Sequence, residues 1–132
     1  MAALILVVED DPTLARAMTR NLAARGYAAR SAATVAEAMA ALARERPALA
    51  VLDIDLPDGS GWEVARALRA ADGAHVPIIV TSALRPNARL CSDIHAAGVL
   101  EKPFPMEALL RLVAHATGRL VAPDPADIAG AD

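Results

Sequence analysis

Glu9-Asp10, Asp53, Ser82 and Lys102 are the residues whose types and spacing could do chemistry together. Asp53 closes a short, nearly unbroken apolar run, Ala48-Leu49-Ala50-Val51-Leu52, and opens the stretch Ile54-Asp55-Leu56-Pro57-Asp58-Gly59-Ser60-Gly61. The first half has the pattern of a strand buried on both faces, and the second is punctuated as a loop. Open α/β sheets put their chemistry at such carboxyl ends of strands. Glu9 and Asp10 follow a similar run from Ala3 to Val8, Ser82 follows Val76 to Thr81, and Lys102 follows Val99 to Glu101. At about 4 Å and an effective dielectric near 20, each ionised carboxylate pair repels by roughly 4 kcal/mol. Three together therefore take up a proton or hold a cation. Oxygen-only ligands, with room for water and a phosphate oxygen, suit Mg²⁺. Taken alone, Glu9 and Asp10 also fit as caps of the helix that follows them.

Lys102 is the only lysine among the 13 Lys and Arg residues. In a chain that otherwise writes its cations as arginine, the exception suggests a task that Arg does badly. A compact ammonium on a flexible stem can pair with one phosphoryl oxygen where a planar guanidinium does not fit. Ser82 adds a hydroxyl able to hydrogen-bond such an oxygen. The set reads Asp53 as a carboxylate that accepts a phosphoryl group.

Five strands alternating with five helices must position these groups. The strands are read at Ala3–Val8, Tyr27–Ser31, Leu49–Asp53, Val76–Thr81 and Val99–Glu101. The first helix starts at Pro12, runs to about Arg25 with Leu14, Met18 and Leu22 on one face, and stops at Gly26. Thr34-Val35-Ala36-Glu37 is a capping box for the second, which carries Val35, Ala38, Met39 and Leu42 and ends before Pro47. Ser60-Gly61-Trp62-Glu63 repeats that spacing for the third, through Val64 and Leu68 to about Ala71. The fourth runs from Pro86 to a stop at Gly98, and the last buries Leu109, Leu112, Val113 and Ala116. Such alternation predicts an α/β fold with a parallel sheet covered on both sides. Residues 1–118 are expected to form one domain and 119–132 a flexible or docking tail.

Composition narrows the function classes. The 132 residues suit one domain, no apolar run reaches membrane-span length, and no secretory leader pattern opens the chain. The formal net charge of -3, without a basic cluster, argues against direct nucleic-acid binding. The single cysteine, Cys91, excludes an internal disulfide framework and fits a cytoplasmic setting. Cys91 has no activating partner in the sequence, and His75, His95 and His115 lack close metal-ligand spacing. Trp62 is expected to pack at the start of the third helix, and Arg85 and Arg89 to face solvent.

Glu9-Asp10, Asp53 with Asp55-Leu56-Pro57-Asp58-Gly59-Ser60-Gly61, Ser82-Ala83 and Lys102-Pro103-Phe104 appear in the order found in receiver domains. From about Ala3 to Thr117 the chain resembles the response-regulator receiver domain of two-component signalling. The resemblance implies a flavodoxin-like, doubly wound sheet of strand order 2-1-3-4-5. It implies phosphorylation of Asp53 from a phosphohistidine on a histidine kinase or histidine phosphotransfer protein. Mg²⁺ would be held by Glu9, Asp10, Asp53 and the backbone carbonyl of Asp55. Lys102 would neutralise the phosphoryl charge, Ser82 would follow the phosphoryl group, and the Lys102–Pro103 bond would be cis. The domain would be a phosphoacceptor rather than an enzyme, limited to self-phosphorylation from small donors and self-dephosphorylation. It would signal to an output protein, or pair as a homodimer, through helix four, strand five and helix five.

The chain departs from the family pattern at five places, one of them a shorter link than usual from Ala97-Gly98 to Lys102. Glu9 stands where Asp is commoner, Val99 where a switching Tyr or Phe is frequent, and Pro105 where the last helix usually has a polar cap. Leu84 puts an apolar side chain near the approach of water, which predicts slow loss of the phosphoryl group. Two other functions fit parts of the sequence. Asp53-Ile54-Asp55 could serve a haloacid-dehalogenase-type phosphohydrolase, although that family places its Asp-x-Asp near the N-terminus. A receiver-shaped binding module that needs no phosphate is the other.

Overall fold

The computed structural model describes residues 3–72 and 75–118, so the expected tail at 119–132 lies outside the described residues. Five strands form the main sheet: β1 (Leu4–Val8), β2 (Ala28–Ala32), β3 (Leu49–Asp53), β4 (Ile78–Ser82) and β5 (Gly98–Glu101). All neighbours are parallel, as the alternation predicts, and the order is β2-β1-β3-β4-β5, as the resemblance to receiver domains implies. The helices are α1 (Pro12–Ala24), α2 (Val35–Arg44), α3 (Gly61–Asp72), α4 (Ala88–Asp93) and α5 (Met106–Ala116).

Two apolar layers hold the sheet. On one face Ile5, Val7, Leu49, Val51 and Ile79 pack with Met18 and Leu22 of α1 and Leu109 and Val113 of α5. On the other, Leu6, Val8, Ala50, Leu52, Ile78 and Val80 pack with Ala38 of α2, Val64, Ala65 and Leu68 of α3, and Ile94. All residues of β3 and β4 are buried, which is why their sequences run apolar without alternation. The period-two geometry of strands then decides the site. Continuing Ile5-Val7, Val51 and Ile79 by two residues gives Glu9, Asp53 and Thr81, on the face covered by α1 and α5.

Several boundaries differ from the sequence reading. β4 begins at Ile78 and includes Ser82, and β5 begins at Gly98. The expected fourth helix from Pro86 to Gly98 shrinks to six residues, with Asn87 accepting from the N–H groups of Arg89 and Leu90. It ends before Ile94 rather than at Gly98, and His95 takes the left-handed conformation (φ 53°) that glycine more often supplies there. After α1 the chain turns at Gly26 (φ 91°), the stop expected there. α5 starts at Met106, and Pro105 before it supplies no side-chain cap.

The stretch after Asp53 holds more order than a loop. Asp55–Leu56 and Gly59–Ser60 pair antiparallel as a short hairpin. Asp58 at its turn reaches the start of α2, where Oδ1 accepts from the N–H of Val35 (2.7 Å) and Oδ2 from that of Ala36 (3.1 Å). Thr34 caps the N–H of Glu37 at 3.0 Å, while the Glu37 carboxylate accepts from Ala33, one residue earlier than a capping box requires. Ser60 and Glu63 cap α3 reciprocally, with Ser60 Oγ on the N–H of Trp62 and Glu63 Oε2 on that of Ser60.

These contacts generate two predictions. A Cβ at Gly61 would fall on the carbonyl of Asp53 and come within 3.0 Å of Ile54 Cα, both rigid backbone. Gly61→Ala should therefore destabilise the fold by about 1–3 kcal/mol in urea denaturation, the usual range for overpacking. The Val35 N–H holds the Asp58 carboxyl below its ordinary pKa, against the opposing effect of desolvation and with help from the N–H groups of Ala36 and Asp58 itself. A depressed folded pKa gives stabilisation that is present above about pH 4 and lost as pH falls through the folded value. Protection of the Val35 and Ala36 amides, taken relative to intrinsic exchange at each pH, should fall in that acid window in wild type and stay constant across it in Asp58→Ala.

Candidate functional site

The ends of β1 and β3 lie side by side at the point where the strand order reverses, and they place Glu9 and Asp53 in one crevice. Both are buried, at 1% and 2% exposure, while Asp10 beside them is exposed. One carboxylate oxygen from each of the three lies within 4.8 Å of the others. Lys102 enters from the end of β5, held by its own N–H on the carbonyl of Ser82 (2.7 Å) and followed by a cis bond to Pro103. Its Nζ stands 2.6 Å from Glu9 Oε1 and 2.9 Å from Asp53 Oδ2. The second oxygen of each carboxylate is held by backbone. Asp55 N–H donates to Asp53 Oδ1 (2.9 Å) and Asp11 N–H to Glu9 Oε2 (3.0 Å).

The electrostatics are those of a negative nest short of positive charge. Burial raises the Glu9 pKa, Lys102 and the Asp11 N–H lower it, and Asp53 raises it further, leaving it above the ordinary value. For Lys102, burial lowers the pKa but the bonds to Glu9 and Asp53 more than reverse this, so the ammonium is held charged. The Glu9 shift comes first from burial, which Lys102 offsets only in part, and the net Lys102 shift comes from its two carboxylate partners. Oxygen-only donors with surplus negative charge and one exposed member, Asp10, fit a hard divalent cation that keeps part of its water. The neighbouring carbonyl of Asp55 belongs to the residue that braces Asp53.

Ser82 is buried at the end of β4, and its Oγ accepts from the N–H of Leu84 (3.2 Å). The hydroxyl proton therefore remains available to a ligand oxygen. Thr81 escaped the sequence reading although alternation from Ile79 puts it on the face of Asp53. Its Cα is in register with that of Asp53, and its buried Oγ1 has no hydrogen-bond partner. Asp58 escaped too, because no local pattern ties it to residues more than twenty positions away. Cys91 is half-buried with its thiol pushed up by burial, which agrees with an unactivated cysteine. His75, His95 and His115 are exposed, Arg85 and Arg89 face solvent, and Trp62 packs against the α2–α3 layer.

The shared ammonium makes a stability prediction. Losing one partner of a buried ion pair leaves an uncompensated charge, so Lys102→Met should cost about 3 kcal/mol in urea denaturation with chelator present. Glu9→Gln added to Lys102→Met should recover part of that loss. A cost below about 1 kcal/mol, as for a surface pair, would contradict the geometry.

Residues 5–114 match the response regulator receiver domain. Among curated proteins, the chain is 38% identical over 109 residues to the transcriptional regulatory protein KdpE of Mycobacterium tuberculosis, covering 81% of this chain and 47% of that protein. It is 36% identical over 112 residues to the response regulator MprA of Mycobacterium bovis, covering 83% and 48%. The chain thus spans about half the length of the curated relatives it matches. Among solved structures, it superposes on a CheY-like receiver domain protein from Methanospirillum hungatei with a TM-score of 0.84 at 25% identity, covering 90% and 96%. The response regulator TrrA of Thermotoga maritima, solved in complex with Mg²⁺ and BeF, gives 0.77 at 28% identity, covering 88% and 99%.

Proposed function

The chain belongs to the response regulator receiver domain family, a two-component signalling module, and on that premise we propose that Asp53 is its phosphoacceptor. The observation that carries the proposal is the Lys102 ammonium shared between the buried carboxylates of Glu9 and Asp53 at the sheet's switch point. Glu9, Asp10, Asp53 and the Asp55 carbonyl would hold Mg²⁺, which when bound supplies charge neutralisation for a transferring phosphoryl group. Phosphoryl transfer needs little from a protein beyond a nucleophile, alignment and positive charge. Asp53 meets the first need. Its carboxylate forms the new O–P bond as the P–N bond of the donor phosphohistidine breaks and the electron pair stays with the imidazole nitrogen.

The Asp55 N–H fixes the Asp53 carboxylate for attack in line, and Lys102 can move its ammonium from Asp53 Oδ2 onto a phosphoryl oxygen. Ser82 donates its free hydroxyl proton to another phosphoryl oxygen. Because Ser82 Oγ also accepts from Leu84, its movement would carry the Leu84 backbone with it. Leu84, 77% exposed, and Val99, 43% exposed, make the β4–α4 loop and β5 the apolar part of an output surface toward a partner protein or second copy. With Val99 in place of an aromatic ring, this output would run through the loop after β4 rather than through ring rotation.

The donor would be a histidine kinase or histidine phosphotransfer protein. Among the described residues no helix is long and apolar enough to cross a membrane, and a cytoplasmic setting is part of the same proposal. Neither the phosphohydrolase nor the phosphate-independent binding module draws support from the matched proteins.

Incubation with acetyl phosphate and Mg²⁺, read by intact mass, tests this. Wild type should gain one phosphoryl group, and Asp53→Ala none. The adduct should persist for minutes or longer, the outcome expected if the apolar Leu84, two positions past Ser82, slows the approach of water. Loss within seconds would contradict that role for Leu84, and catalytic turnover of phosphate esters would contradict the assignment itself.

A further inference from the structure

The Asp55–Ser60 hairpin carries both a brace of the phosphoacceptor and the carbonyl assigned to the metal. Its strands are two residues each, and a lone hairpin of that size is marginal in water. One end is fixed, since the Asp55 N–H donates to Asp53 and Gly61 lies against the Asp53 carbonyl. The other end, the exposed turn at Pro57-Asp58, meets a helix far away in sequence. Both Asp58 carboxylate oxygens are committed to it, on the N–H groups of Val35 and Ala36. Gly59 adds a close approach there: a Cβ on it would come within 3.3 Å of the Val35 side chain.

For α2 the contact is largely surplus. Thr34 already satisfies the Glu37 N–H, and the N–H groups of Val35 and Ala36 lie at an exposed helix end where water can serve them. For the hairpin, whose Leu56 is buried in the core, it is the anchor of the exposed turn. We propose that Asp58 is a positioning residue for the metal-binding loop, tying the hairpin to the N-terminus of α2 so that the Asp55 carbonyl stays where a divalent cation can use it. The proposal rests on the reading that this site takes Mg²⁺ through that carbonyl.

The test titrates Mg²⁺ alone into wild type, Asp58→Ala and Asp58→Asn by calorimetry, at low and high salt. Asp58→Ala should raise the Mg²⁺ dissociation constant about tenfold, the lower end of what loss of a supporting partner costs a metal site. The ratio to wild type should survive high salt, because the effect is positional rather than long-range attraction. Exchange of the Asp55 N–H should accelerate even without metal. Asp58→Asn keeps one acceptor, should lose less, and serves if the alanine variant does not fold. Uptake of phosphoryl from acetyl phosphate should approach the wild-type rate once Mg²⁺ is saturating. Unchanged Mg²⁺ affinity with a lowered melting temperature would reduce Asp58 to a helix cap and overturn the proposal. So would a defect that high salt abolishes. Wild-type protein that bound no Mg²⁺ would overturn the site reading itself.

Discussion

A single ammonium between two buried carboxylates is the constraint on which the rest of this domain depends. Glu9 and Asp53 are almost fully removed from water, and an unpaired buried carboxylate is among the costliest groups a core can hold. Lys102 relieves that cost at 2.6 and 2.9 Å, but one positive charge cannot balance two negative ones, nor three once Asp10 is included. The site is therefore stable enough to fold and still attractive to a divalent cation. It is equally suited to a group that brings new oxygens for the lysine to pair with. Stability and function draw on the same imbalance.

The sheet creates that constraint by topology. Reversal of strand order between β1 and β3 opens a crevice at their carboxyl ends, and two-residue alternation turns Glu9 and Asp53 into it. β5 then delivers Lys102 from two strands away, its backbone pinned to Ser82. None of the three residues is near another in sequence. Register alone brings them together, and this makes the apolar layers on both faces part of the site.

Much of this was legible in the sequence, for identifiable reasons. Buried parallel strands write themselves as apolar runs, so β1, β3 and β4 and the residues at their ends could be found by pattern. The lone lysine in an arginine-rich chain marked Lys102 before any geometry was known. What stayed hidden was non-local or subtle. The sequence marks Gly98 as the stop of α4, whereas the helix ends at Asp93 and a non-glycine residue, His95, takes the left-handed conformation just beyond it. The Asp58 anchor spans more than twenty residues and matches no local motif. Thr81 could have been found by counting two residues on from Ile79, but its hydroxyl looked like an ordinary strand end.

Because Lys102 is the only lysine, its side chain offers a direct observation of the central claim. Protein labelled with ¹³C in lysine should give one side-chain signal, displaced from that of a free surface ammonium by its two carboxylate partners. Addition of Mg²⁺ with beryllofluoride, a mimic of the phosphoryl group, should shift that signal in wild type and leave it unmoved in Asp53→Asn. A lysine signal at the free-ammonium position that ignores both additions would contradict the account.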